Sequence, residues 1–435
     1  MTPRRDWIAV RGDALRGELA IPGDKSISHR AIMLAALADG VSRIEGFLEG
    51  ADTRATATIF GQLGVRIEAP EPGVRIVHGV GIEGLRAPDG RLDCGNAGTA
   101  MRLLAGLLAA QHFDSMLVGD ASLSTRPMRR VTEPLAAMGA RIDTDEGHAP
   151  LRIHGGQALH GIEHTPAVAS AQVKSALLLA GLYARGETVV REPQPTRDYT
   201  ERMLQAFAYP LACQQGEARL TGGHRLQAMD VVVPADFSSA AFFLVAATLV
   251  PGSDLRLRRI GIHPRRTGLL HVLQAMGADV AMLDAQGEGG GQVADLRVRH
   301  APLRGIEVPV AHVADMIDEF PVLCVAAACA QGDTTIRGAA ELRVKESDRI
   351  AAMATGLRAL GIEVQELPDG AVIRGGQLHG GSVDSHGDHR IAMAFAVAGQ
   401  LARGEVAIAD VANVATSFPG FDALARQAGF GLRAA

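Results

Sequence analysis

PGDKSISHR, residues 22–30, sets a lysine, a histidine and an arginine in a loop of small residues ahead of an apolar run. The chain spells its positive charge almost entirely with arginine and uses lysine at just three positions, Lys25, Lys174 and Lys345. The stretch from Arg16 reads as strand, turn and then a helix beginning near Ser26 or Ser28. Ser26, Ser28 and the free N–H groups of a helix start make a nest for an anion, and Lys25 and Arg30 add full charges. Arg30 lies one turn after Ser26 on the same face. A polar cap beside a solvated lysine would account for this motif taken singly.

The pattern recurs. DCGNAGTAMRLLAGLLAA (93–110) opens an apolar helix with Asn96, Gly98 and Thr99 and carries Arg102 in its first turns. A cation there opposes the helix dipole, so Arg102 is expected to reach for something negative. In GDASLSTRPMRRV, Pro127 holds the preceding Arg126 in an extended turn. Ser170 and Gln172 stand at the mouth of SAQVKSALLLAG with neutral donors suited to hydroxyls or phosphate. PTRDYTERM adds the donor fork of Arg197 and the ring of Tyr199; an ordinary cap with satisfied charges explains that segment equally well.

The second half brings carboxylates. ADMIDEFPVLCVAAACAQG (314–332) places Asp315, Asp318 and Glu319 just before an apolar helix, and capping accounts for one of the three. ELRVKESDRIAAM holds Lys345, Glu346, Asp348 and Arg349, where Lys345 and Arg349 at i,i+4 repel unless an anion or carboxylate separates them. GDHRIAMAFAVAG sets Asp388, His389 and Arg390 at another helix start. Cations at helix N-termini in both halves point to a cleft between two domains that receives a small, multiply anionic ligand. The carboxylates supply proton-transfer groups at the same place.

The elements that must present these residues follow from two recurring phrases. QLGVRIE, AMGARID, AMGADVA and ALGIEVQ each end a helix and open a strand, with glycine at 64, 139, 277 and 361. Alanine-rich helices followed by Gly40, Gly186, Gly252, Gly332 or Gly404 lead into alternating runs, the glycine taking a left-handed conformation before the strand. With a weaker copy near residue 113, these give six units of about seventy residues. An α/β protein is expected, with two domains of three units and a boundary near residue 234. Ordinary α/β hairpins at accidental spacing are the alternative.

At 435 residues and 47% hydrophobic, the chain has room for more than one core. A net charge of -5 and aromatics at 4% argue against a nucleic-acid surface or an anionic membrane as partner. The apolar tracts AVASAQVKSALLLAGLYA and DFSSAAFFLVAATLV are too short or too interrupted to span a bilayer and read as buried helices. The N-terminus lacks the apolar core of a signal peptide. Cys94, Cys213, Cys324 and Cys329 have no metal-ligand spacing, so a reduced, cytoplasmic protein without a metal site is expected. No dinucleotide fingerprint or phosphate loop of the nucleotide-binding folds occurs.

PGDKSISHRA, GNAGTAMR, RVKESDR and GDHRIAMAF, in this order across essentially the whole chain, resemble the EPSP synthase (3-phosphoshikimate 1-carboxyvinyltransferase) family. The resemblance implies two similar hinged domains, each of three βαβαββ units in an inside-out α/β barrel. Residues 22–233 would form the N-terminal domain, and 1–21 with 234–435 the C-terminal one. It implies transfer of the enolpyruvyl group of phosphoenolpyruvate to the 5-hydroxyl of 3-phosphoshikimate, on the route to chorismate and the aromatic amino acids. No metal or organic cofactor is implied, and a monomer is expected.

By the same resemblance, Lys25, Gly98, Arg126, Gln172, Arg349 and Arg390 would hold phosphoenolpyruvate. Lys25, Ser26, Arg30, Ser170, Gln172, Arg197, Asp318 and Lys345 would hold 3-phosphoshikimate. Asp318 would accept the hydroxyl proton, with Glu346, Lys345 and His389 around the reacting carbons. Glu346 is the preferred donor of the first proton and Lys25 the competing one. The chain departs from some members at Thr416, where a lysine precedes the [ST]-F-P motif, at Ala171, where serine occurs, and at Glu341, where asparagine occurs. The rivals are the related transferase acting on UDP-N-acetylglucosamine, which commonly uses a mobile-loop cysteine, and a non-catalytic anion-binding protein of the same fold.

Overall fold

In the computed structural model, which describes residues 5–214, 216–288 and 291–435, the chain divides into two compact units. One holds the described residues up to Pro22 together with Pro234–Gly287 and those from Gly291 onward, and the other holds Gly23–Val233. The described strands form six sheets, three in each unit.

Inside the Gly23–Val233 unit lie the helices Lys25–Leu37, Gly98–Leu108 and Ala171–Gly181. Their apolar residues run around the whole circumference, so one-sided packing leaves much of that surface wet and burial is the stable solution. From Ser28, Ala100 and Val173 onward, respectively, every residue of the three is buried. Small residues allow close approach: a Cβ on Gly106 would sit 2.0 Å from the Ala176 carbonyl oxygen, so this helix pair meets only over glycine. In the other unit, all residues of Phe237–Leu249, Phe320–Ala328 and His389–Gly399 are buried. The two apolar tracts are therefore core helices, and no helix among the described residues is long and apolar enough to cross a membrane.

The sheets cover these helices with alternating strands. His148–His154 turns Ala149, Leu151 and Ile153 inward. All nine glycines of the recurring phrases have positive φ, between 81° and 113°. Gly277, for example, ends Gly268–Met276 in the left-handed conformation, its N–H donating back to Leu273 and Gln274. At Gly40 and Gly404 the strand has already begun, so there the glycine lies within it.

The first described residues pack with the second half of the chain. Trp7–Val10 pairs antiparallel with both Arg403–Ala409 and Gly431–Ala434, and Arg16–Ala20 runs parallel to Asp254–Gly261. Trp7 stacks on Phe421 at 5.6 Å between centroids, beside Phe242, Phe243, Phe418 and Phe430. Each such side chain contributes about 1.5–3 kcal/mol by burial. The cluster thus gathers much of a scarce aromatic complement to fix the N-terminal strand.

Candidate functional site

In the Gly23–Val233 unit, the helix bearing Lys25 begins at that lysine. Its cap is Asp24, whose carboxylate accepts from Ile27 N–H at 2.9 Å. Neither serine caps the helix, because aspartate is at least as good an acceptor and stands first. Ser28 is fully buried and accepts from Leu48 N–H, so it leaves the expected anion nest. Lys25 Nζ lies 3.2 Å from Asp52, a buried carboxylate in the first turn of Ala51–Gln62. Sequence reading missed Asp52.

Arg30 is buried and held on three sides: Nε donates to Thr200 Oγ1 at 2.7 Å, one terminal nitrogen to Ser26 O and the other to Ser175 Oγ, both at 2.9 Å. Burial lowers its pKa to about 10, opposed by Glu201 and reinforced by the charge of Arg197. Two arginines that feel one another beside neutral hydroxyls suit a ligand with negative charge.

The Gly98 helix forms a second cluster. Arg126 donates to Asn96 Oδ1 at 2.6 Å and to Ser122 Oγ at 3.2 Å. Arg102 donates to Gln172 Oε1 at 3.0 Å and to the Pro127 carbonyl at 3.3 Å, and Gln172 Nε2 donates to Thr99 Oγ1 at 3.0 Å. A Cβ added to Gly98 would fall 3.0 Å from a terminal nitrogen of Arg102 and 3.1 Å from one of Arg126. Two guanidinium groups therefore flank one point above a helix N-terminus, an anion-binding arrangement. Ser170 caps the helix that follows, accepting from Val173 N–H, with Ala171 as its first residue.

In the other unit, Glu319 stands at the N-cap of the Phe320–Ala328 helix without a side-chain capping bond, and Pro321, which lacks an N–H, occupies the first turn. Asp315 pairs with Arg265 at 3.3 Å. Glu319, wholly buried, accepts a short hydrogen bond from Ser238 Oγ. Arg266 in turn donates to Ser238 Oγ at 2.8 Å and to Asp236 at 2.6 Å. Burial pushes the Glu319 carboxyl above its ordinary range, against the opposing charge of Arg266. Asp318 faces two cations, Arg349 at 3.6 Å and Arg390 at 4.0 Å, and its carbonyl accepts from Arg390 at 3.1 Å.

Arg349 is the hub. Its Nε donates to Asp388 Oδ2 at 2.8 Å and a terminal nitrogen to Glu346 Oε2 at 2.7 Å. Despite burial, Asp388 and Glu346 hold its pKa above the ordinary value. Lys345 and Arg349 do not share a helical turn, because the helix starts at Arg349 and Lys345 lies in extended backbone before it. Lys345 instead pairs with Glu341 at 3.0 Å. Asp388 caps the His389–Gly399 helix through Arg390 N–H at 2.9 Å, so His389 and Arg390 open it as expected. Thr416 donates to the Asn413 carbonyl at 2.7 Å. Among the described residues, no group of three His, Cys, Asp or Glu side chains has a metal-site arrangement.

Within each unit, then, the sequence-chosen residues gather at helix N-termini. Beyond them, sequence reading missed the partners that hold them: Asp52, Thr200, Ser175, Asp236, Ser238, Arg266, and the buried Lys174 with Glu192 and Glu201. Lys174 did carry a signal, as a rare lysine inside an apolar helical run.

The profile of the family described as EPSP synthase (3-phosphoshikimate 1-carboxyvinyltransferase) matches residues 10–424. A 3-phosphoshikimate 1-carboxyvinyltransferase from Xanthomonas campestris pv. campestris (strain B100) is 70% identical over 429 residues, covering 98% of each chain. One from Xanthomonas oryzae pv. oryzae (strain PXO99A) is 69% identical over 430 residues, covering 99% of this chain and 98% of that one. A solved EPSP synthase structure from Acinetobacter baumannii superposes with a TM-score of 0.90 at 48% identity, covering 99% of this chain and 100% of the other.

Proposed function

This chain belongs to the EPSP synthase family, and from that premise we propose which of its residues carry the reaction. The activity is transfer of the 1-carboxyvinyl group from phosphoenolpyruvate to the 5-hydroxyl of 3-phosphoshikimate, releasing phosphate. The fold is that of the two-domain, inside-out α/β transferases.

Phosphoenolpyruvate is bound by Lys25, Gly98, Arg126, Gln172, Arg349 and Arg390. 3-Phosphoshikimate is bound by Lys25, Ser26, Arg30, Ser170, Gln172, Arg197, Asp318 and Lys345. Arginine forks suit the carboxylate and phosphates, while lysine offers a movable point charge. The methylene carbon of phosphoenolpyruvate takes a proton from Glu346, with Lys25 as the competing donor. The 5-hydroxyl attacks the resulting cationic carbon and gives its proton to Asp318. Lys345 and His389 stand beside the tetrahedral ketal phosphate. Loss of phosphate and of one methyl proton restores the double bond.

One observation carries the acid and base assignments: Arg349 joins Asp318, at 3.6 Å, to Glu346, at 2.7 Å, so two carboxylates meet on one guanidinium. Asp318→Asn is expected to lower kcat for phosphate release by about 10²–10⁴, while calorimetry shows 3-phosphoshikimate still bound. Unchanged turnover removes Asp318 as the base. Glu346→Gln should abolish deuterium uptake from D2O into the phosphoenolpyruvate methylene; persistence of uptake moves the role to Lys25.

The reading extends to a cytoplasmic enzyme working as a monomer, without nucleic-acid or membrane partners. The small anionic substrates and the free thiols, two of them buried at Cys94 and Cys324, support it. Sedimentation of the purified protein with both substrates tests the monomer.

A further inference from the structure

Lys174 is buried in the first turns of Ala171–Gly181, and its Nζ lies 2.7 Å from Glu192 and 2.7 Å from Glu201. Both carboxylates are buried with it. Burial works against the lysine's charge, yet the two carboxylates hold its pKa above the ordinary value. Burial raises that of Glu201.

Glu192 ends the strand side of a short loop, and its carboxylate folds that loop back on itself. Oε2 accepts from Thr196 N–H at 3.1 Å as well as from Lys174, and Oε1 accepts a short bond from the Thr196 hydroxyl. The Glu192 N–H is itself tied to the Gly216 carbonyl at 2.7 Å. Arg197 is the next residue. On its other side, Glu201 lies in the first turn of Tyr199–Ala206, next to Thr200, which receives Arg30. One ammonium group thus fastens both flanks of Arg197 to the helix that carries Ser170 and Gln172.

We infer that Lys174, Glu192 and Thr196 form a positioning network that presents Arg197 to 3-phosphoshikimate. This rests on the assignment of Arg197 to that substrate. The network touches no reacting atom, so its contribution appears in substrate affinity. A loop held only at its backbone ends would let the backbone that carries Arg197 take several positions, whose ordering is lost on binding. The carboxylate of Glu192, anchored by a buried cation and bonded to Thr196 N–H and hydroxyl, fixes that backbone in advance.

Glu192→Gln is the informative change, because it leaves Lys174 balanced by Glu201 and creates no unpaired buried carboxylate. It is expected to raise KM for 3-phosphoshikimate by about tenfold, with kcat and KM for phosphoenolpyruvate within about twofold. Thr196→Val, which removes only the hydroxyl bond, should move the same constant in the same direction and serves if Glu192→Gln does not fold. In an Arg197→Ala background, either change should add less than about twofold, since the residue it acts through is gone. Full additivity in that background overturns the positioning role while leaving Arg197 as a ligand. If Arg197→Ala itself leaves KM for 3-phosphoshikimate unchanged, the ligand assignment falls, and the network's role with it.

Discussion

Arg349 and Asp388, 39 residues apart in the chain and both shielded from solvent, meet through Nε and Oδ2 at 2.8 Å. The same carboxylate caps the following helix at Arg390 N–H and accepts from Ser347 Oγ at 3.1 Å. Asp388 therefore sets two of the residues proposed to bind phosphoenolpyruvate, Arg349 by charge and Arg390 by fixing the helix start.

Asp388→Asn separates those roles, because asparagine caps as well as aspartate but carries no charge. Arg349 keeps Glu346 at 2.7 Å and Asp318 at 3.6 Å, so the loss of one carboxylate should cost less than the about 3–5 kcal/mol of a wholly unpaired buried charge. The variant should unfold at lower urea and lose roughly 100-fold in kcat/KM for phosphoenolpyruvate, with far-UV dichroism retained. Wild-type kcat/KM would show that Arg349 is oriented without this partner.

At Gly98, an added methyl group would press on two arginine side-chain ends at 3.0 and 3.1 Å and contact Leu123 Cδ1 at 3.5 Å. These ends can yield, so Gly98→Ala should change unfolding stability by under about 1 kcal/mol. Displacing both guanidinium groups should raise KM for phosphoenolpyruvate about tenfold and spare KM for 3-phosphoshikimate. Steady-state kinetics with each substrate varied in turn reads the split; a change confined to the second substrate reverses the assignment.

Lys345 is held by Glu341 at 3.0 Å, with both side chains partly exposed. Such a pair is worth at most about 1 kcal/mol. Glu341→Asn should release the ammonium toward substrate phosphate and lower KM for 3-phosphoshikimate by up to about fivefold. A rise in that constant would mean that Glu341 orients Lys345 productively.

His29 is fully buried, with Nδ1 and Thr56 Oγ1 2.7 Å apart. Burial, then Lys25 and Arg30, lower its pKa from 6.5 to about 3. The folded state binds its proton less readily than the unfolded chain. Its contribution to stability is therefore complete above about pH 6.5 and lost as the pH falls toward 3. At pH 5 the loss is about 2 kcal/mol. His29→Asn removes the titrating group, so its stability deficit in urea unfolding should narrow between pH 7 and pH 5. A deficit constant with pH would show that His29 does not carry this acid sensitivity.

Much of the fold was readable because its rules are local. A left-handed glycine, an aspartate or serine before a helix, and apolar residues all around a helix each act within a few residues. All nine repeat glycines indeed take positive φ. Cations crowded at helix starts were visible for the same reason. Local rules also set the limits: Ser26 and Ser28 looked like caps, and Asp24, two residues before the first of them, took that place.

By itself, the sequence determined which side chains stand at helix N-termini and which helices must be buried. Tertiary structure alone decided which charge answers which. Asp388 was assigned to Arg349, Gln172 to Arg102 across 70 residues, and Lys174 to two carboxylates of another segment. The reason is geometric: a pairing energy depends on atoms within about 4 Å, and only the packing of distant segments sets those distances.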